Sequence, residues 1–150
     1  MSNQRSLKIG ILSRAPRSYS TKRLREAAIE AGHKVRILDT LRFGMYVESK
    51  NPDLSYMGKP LSSYDAVIPR IGASISFYGA AVIRQFEQMG IFSLNTSAAI
   101  SMSRDKLRSL QILSRHNIGI AKSAYVTRKS DVLPAIEEVG QPRLISIASG

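Results

Sequence analysis

The run Leu7-Lys8-Ile9-Gly10-Ile11-Leu12-Ser13 constrains the fold more than any other stretch of the chain. It is short and almost continuously apolar, which suits a strand buried on both faces of a parallel sheet. A polar turn follows, and Ser20 reads as the N-cap of a helix. That helix runs to about Ala31, carries Leu24, Ala27, Ala28 and Ala31 at helical spacing, and is stopped by Gly32. Val35-Arg36-Ile37-Leu38 is the next strand. Strand, helix and strand in this order make a βαβ unit, expected to be right-handed.

The stretch from about Thr40 to Ser63 carries Pro52, Gly58 and Pro60 and reads as an irregular insertion with a small hairpin around Met57-Gly58-Lys59. Asp65-Ala66-Val67-Ile68 is a third core strand, whose ladder Pro69 is expected to end because it has no N–H. A helix from about Ser74 to Met89 presents Ala81, Val82, Gln85, Phe86 and Met89 along one side. Phe92-Ser93-Leu94 is a short fourth strand, and Asn95-Thr96-Ser97 supplies caps for a short helix. From Ser103 the pattern changes. Ser103 reads as the cap of a helix with Leu107, Leu110, Ile112 and Leu113 as its stripe, and Gly119 lies beyond its end. Ala124-Tyr125-Val126 is a strand, Ser130 caps a helix to about Val139, and Leu144-Ile145-Ser146-Ile147 is a further strand.

The reading is therefore α/β. A small parallel-sheet, Rossmann-like domain over residues 1–102 precedes a second unit over 103–150. The second unit still reads as strand at its end, so its core is expected to be incomplete. Residues from about Lys122 onward are expected to be weakly ordered, and the exposed edge of the last strand invites pairing between copies of the chain.

The 150 residues hold 22 Lys and Arg against 11 Asp and Glu, a net charge of +11. Such a balance attracts nucleic acid, ribosomes, phosphates or acidic peptides, and a basic surface kept for solubility competes with these. With no cysteine there is no disulfide framework or thiolate chemistry, which is compatible with a reducing cytoplasm. No apolar run is long enough to span a membrane, and the polar N-terminus lacks a secretory signal.

In an open parallel sheet, ligands bind beyond the carboxyl ends of the strands. The loops there are Ser13-Arg14-Ala15-Pro16-Arg17-Ser18-Tyr19-Ser20, then Pro69-Arg70-Ile71-Gly72-Ala73-Ser74, then Asn95-Thr96-Ser97. Each presents donors and none presents a carboxylate, so together they suit an anion. Ser20, Ser74 and Thr96 also satisfy an ordinary capping role, and Arg14 and Arg17 an ordinary solvated one. Arg70 lies between a strand end and a glycine, where loop side chains usually carry function. No GxGxxG follows the first strand and there is no Walker-type loop. His33 and His116 stand apart, the carboxylates are dispersed, and no nucleophile–base pair is evident. No catalytic or metal-binding residue is assigned.

Several stretches, taken in order, resemble the RimK-type ligases of the ATP-grasp superfamily: Arg23-Leu24-Arg25-Glu26-Ala27-Ala28, Asp65 to Gly72, Phe77-Tyr78-Gly79, Arg84-Gln85-Phe86-Glu87, and Ser103-Arg104-Asp105-Lys106-Leu107-Arg108-Ser109. The resemblance implies a pre-ATP-grasp domain followed by a truncated start of an ATP-grasp domain. It implies an ATP- and Mg²⁺-dependent (or Mn²⁺-dependent) ligase in a cytoplasmic setting, which adds glutamate to the C-terminus of a small-subunit ribosomal protein through an acyl phosphate. Lys106 matches the family's first nucleotide-contacting lysine, and Ser13, Arg14 and Arg70 would line the substrate side of the cleft. Ser146 stands where the family has a phosphate-holding lysine, and Ser149 where it has a glutamate. On this reading the chain is inactive alone. The alternative is a non-catalytic basic module that binds a ribosomal protein, RNA or an acidic regulator.

Overall fold

The structure, a computed structural model, describes residues 5–140 and the backbone of 145–147. The chain divides into two compact units, Met1–Arg104 and Asp105–Gly150.

In the first unit β1 (Lys8–Ser13) leads to α1 (Tyr19–Glu30) and β2 (Lys34–Leu38). The helix is capped two residues earlier than the sequence suggests. Ser18 accepts from the Thr21 N–H, while Ser20 lies inside the first turn. Then come β3 (Phe43–Tyr46), β4 (Asp53–Tyr56) and β5 (Lys59–Pro60), which form a three-stranded antiparallel sheet. The expected irregular insertion is thus ordered, and its turn at Met57-Gly58 has positive φ at both residues. β6 (Ala66–Arg70), α2 (Ser76–Gln88), β7 (Phe92–Ser93) and α3 (Ser97–Arg104) complete the unit.

The parallel sheet has the order β2-β1-β6-β7. Pro69 does not end β6, which continues to Arg70 with Pro69 opposite Leu12. Pairing with β7 stops at Val67, so β6 is an edge where the proline sits, the place a strand tolerates one.

Side chains alternate along β1. Leu12 joins Leu38, Val67, Val82, Ile83 and Phe86 of α2, and Phe43 and Leu54 of the antiparallel sheet, in one buried cluster. Phe86 meets the Phe43 ring edge-on at 5.6 Å. Burial of each such side chain contributes about 1.5–3 kcal/mol. Ile83 belongs to this stripe, whereas Ala81 is only half-buried. On the opposite face Ile9 and Ile11 are buried, and α1 lies against β1 and β2 with Thr21 buried. Gln85 pins the antiparallel sheet to α2, its amide donating to the carbonyls of Tyr46 (2.8 Å) and Asp53 (3.2 Å). His33 Nδ1 accepts weakly from the Leu7 N–H at 3.4 Å.

The second unit holds α4 (Lys106–Arg115), β8 (Ala124–Val126), α5 (Val132–Val139) and β9 (Ile145–Ile147). β8 and β9 pair in parallel, with Tyr125 opposite Ser146. Asp105, not Ser103, caps α4 through the Arg108 N–H at 3.0 Å; Ser103 belongs to the preceding helix. A 3₁₀ turn over Lys129–Asp131 precedes α5, so Ser130 does not cap it and instead donates to Asp131 at 2.9 Å. His116 is the residue that closes α4. Ser149 and the rest of the segment Pro142–Gly150 outside β9 lie beyond the described residues.

Candidate substrate-binding cleft

Parallel pairing sets Ser13 and Arg70 opposite each other where β1 and β6 end. The loop after β1 is held by buried hydroxyls. Ser13 Oγ accepts from the Ala15 N–H at 3.1 Å and lies 3.2 Å from Thr21 Oγ1, to which Ser18 Oγ donates at 2.8 Å. Ser13 is therefore committed to shaping the loop. Arg14 is exposed beside it. The Arg70 Nη2 donates to Ser20 Oγ at 2.6 Å, which brings the guanidinium to the first turn of α1. Ser13, Arg14 and Arg70 thus meet around one hollow of about 280 Å³.

Arg70 also borders a larger cavity of about 600 Å³, lined with Pro69, Gly72, Asn95, Ser103 and Arg104. Arg104, the last residue of α3, donates from Nη2 to the Ile71 carbonyl. Two anchors place that helix. Thr96 Oγ1 accepts from the Ala99 N–H at 3.1 Å. The Glu87 carboxylate accepts from the Ser97 N–H at 2.8 Å and the Ser97 hydroxyl at 2.7 Å.

Among the described residues no carboxylate lines either space. Two guanidiniums remain after each has given one bond to the protein, and a guanidinium carries five N–H donors. Paired with a carboxylate or phosphate, they form charge-assisted, often bidentate bonds. No nucleophile–base pair accompanies them. The arrangement has the donors to bind and orient an anion. The sequence alone points to Arg70 and the Asn95 loop, but it assigns Arg104 to the opening of the second unit; its place at the end of α3 puts it in this cavity.

Lys106 lies in the second unit, exposed in the first turn of α4. It borders an apolar groove of about 400 Å³ with Leu107, Leu110, Ile120 and Tyr125. Lys122 borders it too, paired with Glu138 at 2.5 Å, and an apolar lining beside the Lys106 ammonium, unpaired among the described residues, suits the two ends of a nucleotide, base and phosphate. Among the described residues no three His, Asp or Glu side chains converge. Among the same residues no helix is long and apolar enough to cross a membrane.

The fold and the cleft define an α/β protein whose parallel-sheet domain carries a cationic hollow beyond its strand ends. Residues 7–100 match the family described as the RimK pre-ATP-grasp domain, and the chain belongs to that family. It is 57% identical over 145 residues to a probable alpha-L-glutamate ligase of Rhodopirellula baltica, covering 96% of this chain and 36% of that protein. A probable alpha-L-glutamate ligase of Pseudomonas savastanoi pv. phaseolicola is 54% identical, with 96% and 48% covered. The chain thus spans less than half the length of these relatives. Among solved structures it resembles the ATP-grasp ligase PsnB complexed with precursor peptide PsnA2 and AMPPNP. The TM-score is 0.60 at 17% identity, over 92% of this chain and 53% of that one. This likeness shows the fold: a pre-ATP-grasp domain followed by part of an ATP-grasp domain.

Proposed function

We propose that the chain forms the substrate side of an ATP-dependent carboxylate–amine ligase that adds glutamate to an acceptor, the C-terminus of a small-subunit ribosomal protein. The observation that carries this reading is the carboxylate-free cavity where Arg70 and Arg104 converge beyond the strand ends. In this scheme the two guanidiniums and Asn95 hold a carboxylate. Gly72, where an added Cβ would meet no heavy atom within 4 Å, leaves room for its approach. ATP, with Mg²⁺ or Mn²⁺, would supply the phosphoryl group that activates the carboxylate. Lys106 would balance phosphate charge. Arg14 stands at the rim of the smaller hollow as a further cation for an acidic substrate, and Ser13 keeps the loop in shape. The compartment that fits this work is the cytoplasm.

The test is a titration of the isotopically labelled chain with glutamate and, separately, with ADP. Glutamate is expected to shift the amide signals of residues 69–72, 95 and 99–104, and ADP those around Lys106. Glutamate shifts scattered elsewhere, or none at millimolar concentration, would overturn the assignment of the cleft.

A further inference from the structure

A second concave surface of the first unit lies at the starting end of β1 and β2, the end opposite the cleft. Lys8 and Lys34 begin these strands and sit opposite each other in register. Arg36 follows Lys34 by two positions, so all three share one face of the sheet. Lys59 opens β5 and borders, with Arg36, Tyr56 and Ser62, a hollow of about 380 Å³.

Two of the cations are held in place. The Arg36 guanidinium lies over the Tyr56 ring at 5.5 Å, and Lys8 Nζ lies 4.9 Å from the centre of the Tyr64 ring. Lys8 Nζ also donates to Ser62 Oγ at 2.9 Å. Two carboxylates of this unit, Asp65 and Asp39, already have partners. Asp65 accepts from Arg5 at 3.2 Å and from the Lys8 N–H at 2.7 Å, and Asp39 lies 3.7 Å from Arg42 Nε. Among the described residues no carboxylate pairs with Lys34, Arg36 or Lys59.

Neighbouring strands stand about 5 Å apart, and alternate residues along one strand about 7 Å apart. A row of like charges at that spacing is relieved by an anion lying along it. A single small anion meets only part of the row, whereas a chain with one charge on every repeat meets all of it. We propose that this edge binds the phosphodiester backbone of a single-stranded nucleic acid. Binding is through phosphate contacts, which position a strand without reading its sequence. This site is independent of the cleft and of any ligase activity.

The test uses the whole 150-residue chain and a fluorescein-labelled oligouridine of sixteen nucleotides, followed by anisotropy in 50, 100 and 200 mM KCl. With three to four phosphates neutralised, the slope of log affinity against log salt is expected near −2 to −3. The double substitution Lys34→Gln/Arg36→Gln is expected to reduce the slope by about 1.4 and to weaken binding at least tenfold at the lowest salt. Lys59→Gln, in an exposed hairpin, is expected to reduce the slope by about 0.7 and serves as the deciding variant should the double variant fail to fold by circular dichroism. Arg70→Ala is expected to bind like the parent. The proposal is overturned if the Lys34, Arg36 and Lys59 changes leave affinity and slope unaltered. It is equally overturned if an octaglutamate peptide binds as tightly at equal salt, or if millimolar inorganic phosphate displaces the oligonucleotide, which marks a small-anion site.

Discussion

The Arg70 guanidinium donates to the Ser20 hydroxyl at 2.6 Å and so joins the end of β6 to the first turn of α1. The bond is exposed to water, which makes it a positioning contact more than a source of stability. A double-mutant cycle of Arg70→Ala and Ser20→Ala in urea unfolding is expected to give a coupling below about 1 kcal/mol. Arg70→Ala is expected to weaken glutamate binding at least tenfold, measured by chemical-shift titration. A large coupling with unchanged binding would make Arg70 a structural residue.

Gln85 is buried and supplies two of the bonds that hold the antiparallel sheet to α2, beside the one from the Tyr78 hydroxyl to the Phe43 carbonyl at 2.6 Å. Replacing it with leucine leaves two carbonyls without their donor. A loss of about 1–3 kcal/mol is expected. Amide exchange in β3 and β4 should quicken more than in β1, which hydrogen-exchange mass spectrometry would reveal.

Gly79 lies on the buried side of α2 against Ile71, and an added Cβ would come within 2.5 Å of the Ile71 Cγ2. Gly79→Ala is expected to cost about 1–3 kcal/mol by overpacking, despite alanine's better helix propensity. Adding Ile71→Ala should recover part of the loss, because it removes the clashing atoms. Thermal unfolding of the single and double variants checks this.

The Tyr64 hydroxyl is buried with no hydrogen-bond partner among the described residues. Tyr64→Phe removes an unsatisfied group and keeps the ring beneath Lys8. Its stability is expected to match the parent or exceed it by up to about 1 kcal/mol. A clear loss in denaturant unfolding would mean the hydroxyl has a partner.

In the second unit the hydrogen bond from Lys122, and then its charge, hold the Glu138 carboxyl below the usual carboxylate range. A depressed carboxyl favours the folded form above its unfolded value, and that contribution fades as pH falls through the folded value. Carbon-detected titration should find Glu138 below the usual carboxylate range, and Lys122→Ala should raise it.

The elements with long apolar runs, β1, β6 and α2, were legible because burial on a sheet or one helix face forces that pattern. Of the antiparallel sheet only the β4–β5 hairpin around Met57-Gly58-Lys59 was legible; β3 and its pairing with β4 were not. The strands of this sheet are short and interrupted by Gly and Pro, and their order comes from Phe43 and Leu54 packing on Phe86, contacts distant in sequence. Caps were legible only to within two residues. Ser18 and Ser20 both satisfy the rule, and so do Ser103 and Asp105; the choice falls to whichever side chain meets the free N–H. Of the cleft, Arg70 was legible from its place after a strand. Arg104 was not, because its role depends on where α3 ends.

The larger cavity exists because β7 gives up its pairing at Val67 while β6 runs on to Arg70, with a proline in the unpaired stretch. The opening therefore comes from a mismatch in strand length and not from any particular side chain. Exchanging Asn95 or Ser103 would alter the chemistry of the lining without closing the opening.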